Sequence, residues 1–140
     1  MNRKNSGFTL IESIIIVAIA GSLIALSVAG GIRFKDSLEY NLSVSQVLSD
    51  IKFTQQLAQT TSQLCSIEFR AGKNSYIISK GGSPCKAGMA GKKIQFFGKS
   101  YFNFVPSGCT DVGGSGTLSI GGAPKIKKII VSSKGRIRIE

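Results

Sequence analysis

A chain of 140 residues with 18 Lys+Arg against 7 Asp+Glu carries a formal charge of +11 and has no histidine. That length allows one domain, and the missing imidazole excludes a histidine-based zinc site, a Ser-His-Asp triad and a Cys-His nucleophile pair within this chain. The composition points to a binding or structural protein without cofactors, not an enzyme. Apolar residues make up 42% of the chain, many of them in one N-terminal block, which leaves roughly 100 residues for a modest folded core. The charge is just as uneven: residues 70–140 hold thirteen bases and two acids, whereas residues 8–69 hold three bases and five acids. A one-signed field of that size favours phosphate-rich partners or an anionic membrane, the plainer alternative being charge that keeps the chain in solution.

Residues 1–7 are polar and basic, with Arg3 and Lys4, and they stop at Gly7 before Phe8. From Ser13 to Ile32 run 20 uncharged residues dominated by Ile, Val, Leu and Ala. As a helix this run is long enough for a hydrocarbon core of about 30 Å. A secretory signal peptide has a shorter apolar stretch and then a small-residue cleavage site, so the pattern is not an ordinary one. Glu12 stands near the start of the apolar residues, where a carboxylate in lipid is costly and needs a partner. Gly21, Gly30 and Gly31 either permit close helix approach or are tolerated small residues.

Lys4-Asn5-Ser6-Gly7, then Phe8-Thr9-Leu10-Ile11-Glu12, then the long apolar run resemble the leader and N-terminus of type IV pilins and pseudopilins. The resemblance implies that a prepilin peptidase cuts between Gly7 and Phe8 and that the new N-terminal Phe8 is methylated. It makes Glu12 the residue for filament assembly, its carboxylate neutralising the N-terminal ammonium of a neighbouring subunit. Such a buried pair is favourable only while both partners are present. The expected organisation is a leader over 1–7, a transmembrane and filament-core helix over 8–34 and a globular head over 35–140. The precursor is expected to cross the inner membrane once with its head in the periplasm, and to move to the pilus or cell surface among other pilins.

Leu38, Leu42, Ser45, Leu48 with Val47, Ile51, Gln55 and Ala58 recur at three- and four-residue spacing, the stripe of an amphipathic helix over 35–61. Lys35, Glu39, Ser43, Asp50, Gln56 and Gln59 fall on the opposite, polar face. One helix from Phe8 to about Thr61 accounts for both segments. Residues 64–140 then read as seven short strands: Leu64–Phe69, Tyr76–Ser79, Lys93–Phe97, Tyr101–Phe104, Thr117–Ile120, Ile126–Val131 and Gly135–Ile139, with a hairpin at Ala71-Gly72-Lys73-Asn74. A helix followed by such strands is α+β, with an antiparallel sheet or two small sheets packed on the helix; the type IV pilin resemblance implies the same architecture. Gly81-Gly82, Gly113 to Gly116 and Gly121-Gly122 lack the Lys-Ser/Thr of a phosphate loop and read as plain loops. Phe97, Tyr101 and Phe102 read as core, the alternative being base-stacking platforms. In the run Cys65, Ile67, Phe69 the cysteine shares a face with large apolar residues, which leaves Cys85 and Cys109 as the expected disulfide, although spacing alone does not fix the pairing.

Phe102 to Gly108, then Gly116 to Ile120, then Ile129 to Arg138 are similar to the GspH/FimT group of minor pilins and pseudopilins. On a strand, Lys134, Arg136 and Arg138 point one way and Ile137 and Ile139 the other, a cationic ridge on an apolar backing. Guanidinium groups match phosphate geometry, and Gly135 lets a backbone N–H come close to a phosphate. The alternative is that Gly135 makes a bulge and the arginines pair with Glu140 or solvent. Lys125, Lys127 and Lys128, with Lys80, Lys86, Lys92, Lys93 and Lys99, extend the ridge as a groove for a phosphate backbone. Gly135-Arg136-Ile137-Arg138 also matches the Gly-Arg-x-Arg pattern of FimT-like minor pilins. That resemblance implies binding of extracellular double-stranded DNA for uptake in natural transformation. Binding of this kind depends on salt and hardly on sequence. The rivals are a type II secretion minor pseudopilin that contacts other pseudopilins or cargo, and a purely structural initiator of filament assembly.

Overall fold

Thr9-Leu10-Ile11-Glu12 is a capping box, a hydroxyl followed three residues later by a carboxylate. The Glu12 N–H donates to Thr9 Oγ1 at 3.4 Å, and helix α1 runs from there over Leu10–Thr61. Ser62, at φ 51°, takes the left-handed conformation that ends it. The computed structural model describes residues 9–122 and 125–140, with the backbone alone at 26, 28–30, 32 and 33. The expected cleavage and methylation positions, Gly7 and Phe8, lie outside the described residues.

The chain divides into two compact units, to Leu38 and from Glu39 to Glu140. In the first, Leu10, Ile11, Ile14, Val17, Ile19, Leu23 and Ile24 are each more than half exposed. At 100° per residue these positions cover every side of the helix, and a helix apolar all round requires apolar surroundings. Among the described residues no stretch of helix is long and apolar enough to cross a membrane. The uncharged run from Ser13 to Ile32 includes 26, 28–30 and 32, whose side chains are not described.

In the second unit the buried face of α1 is Tyr40, Ser43, Val44, Val47, Asp50, Ile51, Thr54 and Ala58. The expected stripe is therefore turned in its first half: Leu38, Leu42 and Ser45 are exposed, whereas Ser43 and Asp50, placed on the polar face by sequence, are buried. Both have partners. Ser43 Oγ accepts the Gly91 N–H at 3.1 Å, and the Asp50 carboxylate accepts the Tyr76 hydroxyl at 2.5 Å and Lys86 Nζ at 2.5 Å. Burial, then the hydrogen bond to Asp50, pushes the Tyr76 hydroxyl well above its usual range.

Eight strands follow: β1 (Cys65–Phe69), β2 (Ser75–Lys80), β3 (Ser83–Met89), β4 (Gln95–Gly98), β5 (Tyr101–Phe104), β6 (Gly116–Gly122), β7 (Lys125–Val131) and β8 (Ile137–Ile139). They form two antiparallel sheets, β3-β2-β1-β5 and β4-β6-β7-β8. Both sheets turn apolar faces to α1, and Ile67, Phe69, Tyr76, Phe96, Phe102, Leu118, Ile120 and Ile129 fill one core. This is the α+β arrangement that the sequence implies, with two sheets. Strand β3 is the addition: its edge position tolerates Pro84, and a register shift at Ile78/Ser79 accommodates it. Gly121 and Gly122 belong to β6 and are not a loop.

All three cysteines are free, which corrects the expected Cys85–Cys109 bond. Cys85 lies on β3, at one edge of its sheet, and β5 is the other edge, three strand spacings or about 14 Å away. Cys109 lies beyond β5, where Thr110 bridges Phe104. A disulfide needs Cα atoms within about 7 Å. Cys65 is buried on the core face of β1, as its neighbours imply, and burial pushes its thiol up.

Candidate nucleic-acid interface

Residues directly opposite each other in antiparallel strands share a face. In the second sheet Leu118, Ile120, Ile129 and Val131 turn inward, so the alternate positions form the outer face. Its rows follow from the register: Gln95, Gly121 and Ile126; then Phe97, Ser119 and Lys128; then Thr117, Ile130 and Arg138. Glu140 stands beside Lys128, exchanging both backbone hydrogen bonds with it at 2.7 and 2.9 Å.

At the β7–β8 end the face holds an open cleft of about 640 Å³ lined by Ile130, Ser132, Ser133, Lys134, Gly135, Arg136 and Arg138. The three cations are exposed, and among the described residues no ion pair involves Arg136 or Arg138. The structure thus brings Lys134, Arg136 and Arg138 together, though not by strand alternation alone. Lys134 sits in the turn before β8, which is closed by reciprocal bonds: Ser132 N–H to Arg136 O at 2.9 Å and Arg136 N–H to Ser132 Oγ at 3.1 Å.

Gly135 has a different role from the one expected. Its N–H donates to Ser132 O at 2.9 Å, so it is not offered to a phosphate, and the residue is buried. Its φ is +75°, and a Cβ there would lie 2.1 Å from Gly108 O and 2.6 Å from Gln55 Nε2. Gln55, on α1, donates to Gly108 O at 2.6 Å and to Gly135 O at 3.0 Å. One amide therefore ties the cationic turn and the loop after β5 to the helix. The signal for it is a glutamine on an otherwise apolar stripe, which requires polar partners opposite.

The supporting lysines separate. Lys128 is exposed on the outer face, but Lys127 lies on the inner side, where Nζ donates to Asn41 Oδ1 at 3.1 Å, and Lys125 shares that parity. Lys80 and Lys86 belong to the other sheet, and Lys86 is paired with the buried Asp50. Lys99 donates to Gly113 O and sits 4.3 Å from the centroid of the Tyr101 ring. Phe102 is core, whereas Phe97 and Tyr101 are 48% and 40% exposed, which overturns the expectation that all three are core. Among the described residues no three His, Cys, Asp or Glu side chains gather as a metal site. The arrangement supplies four exposed cations, Lys128 and Arg138 on the sheet and Lys134 and Arg136 on the turn that leads into β8. It suits a polyanion.

The family model for the prokaryotic N-terminal methylation motif matches residues 2–28. In solved structures, the chain is similar to the type IV minor pilin FimU of Pseudomonas aeruginosa strain PAO1. In space group P21 the TM-score is 0.64 at 15% identity, covering 76% of this chain and 92% of that one. In space group P65 the TM-score is 0.60 at 15% identity, covering 71% and 91%. No curated protein matches the chain in sequence. In its N-terminal motif and its fold the chain is type IV pilin-like.

Proposed function

We propose that the chain is a minor type IV pilin whose head binds extracellular double-stranded DNA, without sequence preference, for uptake in natural transformation. The methylation motif supports processing between Gly7 and Phe8 by a prepilin peptidase, with Phe8 then methylated. The all-round apolar helix before Leu38 supports anchoring in the inner membrane and later packing among the helices of other pilins. Glu12, already capped through its backbone N–H, keeps its carboxylate for a neighbour's terminal ammonium.

The observation that carries the DNA reading is the exposed set of Lys128 and Arg138 on one sheet face with Lys134 and Arg136 on the turn beside it, the arginines without acidic partners among the described residues. If each neutralises one phosphate, log K falls with log salt at a slope of about −3.6, so a fourfold rise in salt weakens binding on the order of 100-fold. Mobility shifts with duplex DNA and the full chain in detergent test this. Arg136→Gln with Arg138→Gln should abolish most binding at unchanged thermal stability. Full affinity in that double variant, or indifference to salt, would favour a type II secretion pseudopilin.

A further inference from the structure

We propose that Phe97 is a stacking platform for an unpaired base, so that the outer face of the second sheet holds single-stranded DNA more tightly than duplex. This rests on the DNA-binding reading and adds to its duplex binding a tighter hold on unpaired strands at the same face.

The alternation of β4 sends Phe96 fully into the core and Phe97 out, where it is 48% exposed. Phe97 stands on the edge strand of this face, where one side of its ring is open to a planar ligand. Its ring is laid against bare backbone: a Cβ at Gly121 would meet Phe97 Cε2 at 2.9 Å. The glycine gives the ring a seat, and Ile126 borders it in a concavity of about 480 Å³. An aromatic surface held in place loses little conformational freedom when a planar ligand covers it.

The ligand's chemistry follows from the neighbours. Phe97 shares a row with Ser119 and Lys128, and Arg138 lies in the next row on the same face. From β4 to β8 is three strand spacings, about 14 Å. A ligand that covers the ring and reaches the arginines therefore presents a flat apolar surface at one end and anionic groups along its length. Single-stranded nucleic acid does both, because its bases expose their faces. A duplex hides those faces in the stack and offers only phosphates to such a sheet, leaving the ring uncovered. Glu140, beside Lys128, turns the phosphate path toward Arg136 and Arg138.

The test compares an oligothymidylate with a duplex of equal length, using the full chain in detergent and variants Phe97→Leu and Phe97→Trp. Leucine keeps apolar bulk over Gly121, and tryptophan keeps the stacking surface. Phe97→Leu should weaken single-strand binding about tenfold and leave duplex binding unchanged, with Phe97→Trp restoring it. A 2-aminopurine placed in the strand should be quenched by the wild type and not by Phe97→Leu. The inference fails if Phe97→Leu alters both forms equally, alters neither, or changes only incorporation into filaments. If Arg136→Gln with Arg138→Gln still removes duplex binding in those cases, the broader DNA reading survives. Wild-type protein that binds neither form would end both.

Discussion

Gly135 and Gln55 set the geometry of the cationic turn without being cationic themselves. Gly135→Ala asks an alanine to hold φ +75° and drives its Cβ into Gly108 O, a backbone atom with no rotamer to yield. It should destabilise the head by roughly 3 kcal/mol, the sum of left-handed strain and a displaced loop. Thermal unfolding would register that loss, and DNA affinity should fall as the turn moves. Replacing the two arginines should give the opposite pattern, lost binding at unchanged melting temperature. The sequence showed Arg136 and Arg138 as a ridge because alternation is local. It did not show that the Gly135 N–H is consumed within its own turn, since that depends on a carbonyl at Ser132. Lys127 was misread for a related reason: strand parity decides its side, and Asn41, 86 residues away, gives it a partner.

At the scale of elements, α1 was legible nearly to its ends, because an apolar run and then a periodic stripe specify helix whatever they pack on. Its facing was not, because Ser43 and Asp50 look like surface residues until Gly91, Tyr76 and Lys86 are brought to them. Strand β3 was invisible for want of a pattern: Ser83-Pro84-Cys85-Lys86-Ala87-Gly88-Met89 has no alternation, and only Gly88 on it is buried. Missing that strand also left Cys85 free to be paired with Cys109 in the sequence reading. Unreduced peptide mapping of the purified chain should find no Cys85–Cys109 link. Alkylation of the native protein should label exposed Cys85 first and reach buried Cys65 only on unfolding. A Cys85–Cys109 peptide would mean that the first sheet has a different strand order.

For the whole molecule, processing is the first thing to measure. The intact mass of protein from a host with prepilin peptidase should correspond to loss of residues 1–7 plus one methyl group, and a start elsewhere would remove the pilin reading. The strand edges have a further consequence. β8 has three residues, β4 and β5 four each, and β3 carries Pro84 and a register shift. Short, irregular edges are poor templates for another chain's strand. Copies of the head are therefore unsuited to joining by continuous sheet, which leaves the exposed apolar part of α1 as the surface on which copies can pack. In the proposed filament, subunits joined on that plan can separate with every strand of the head still paired.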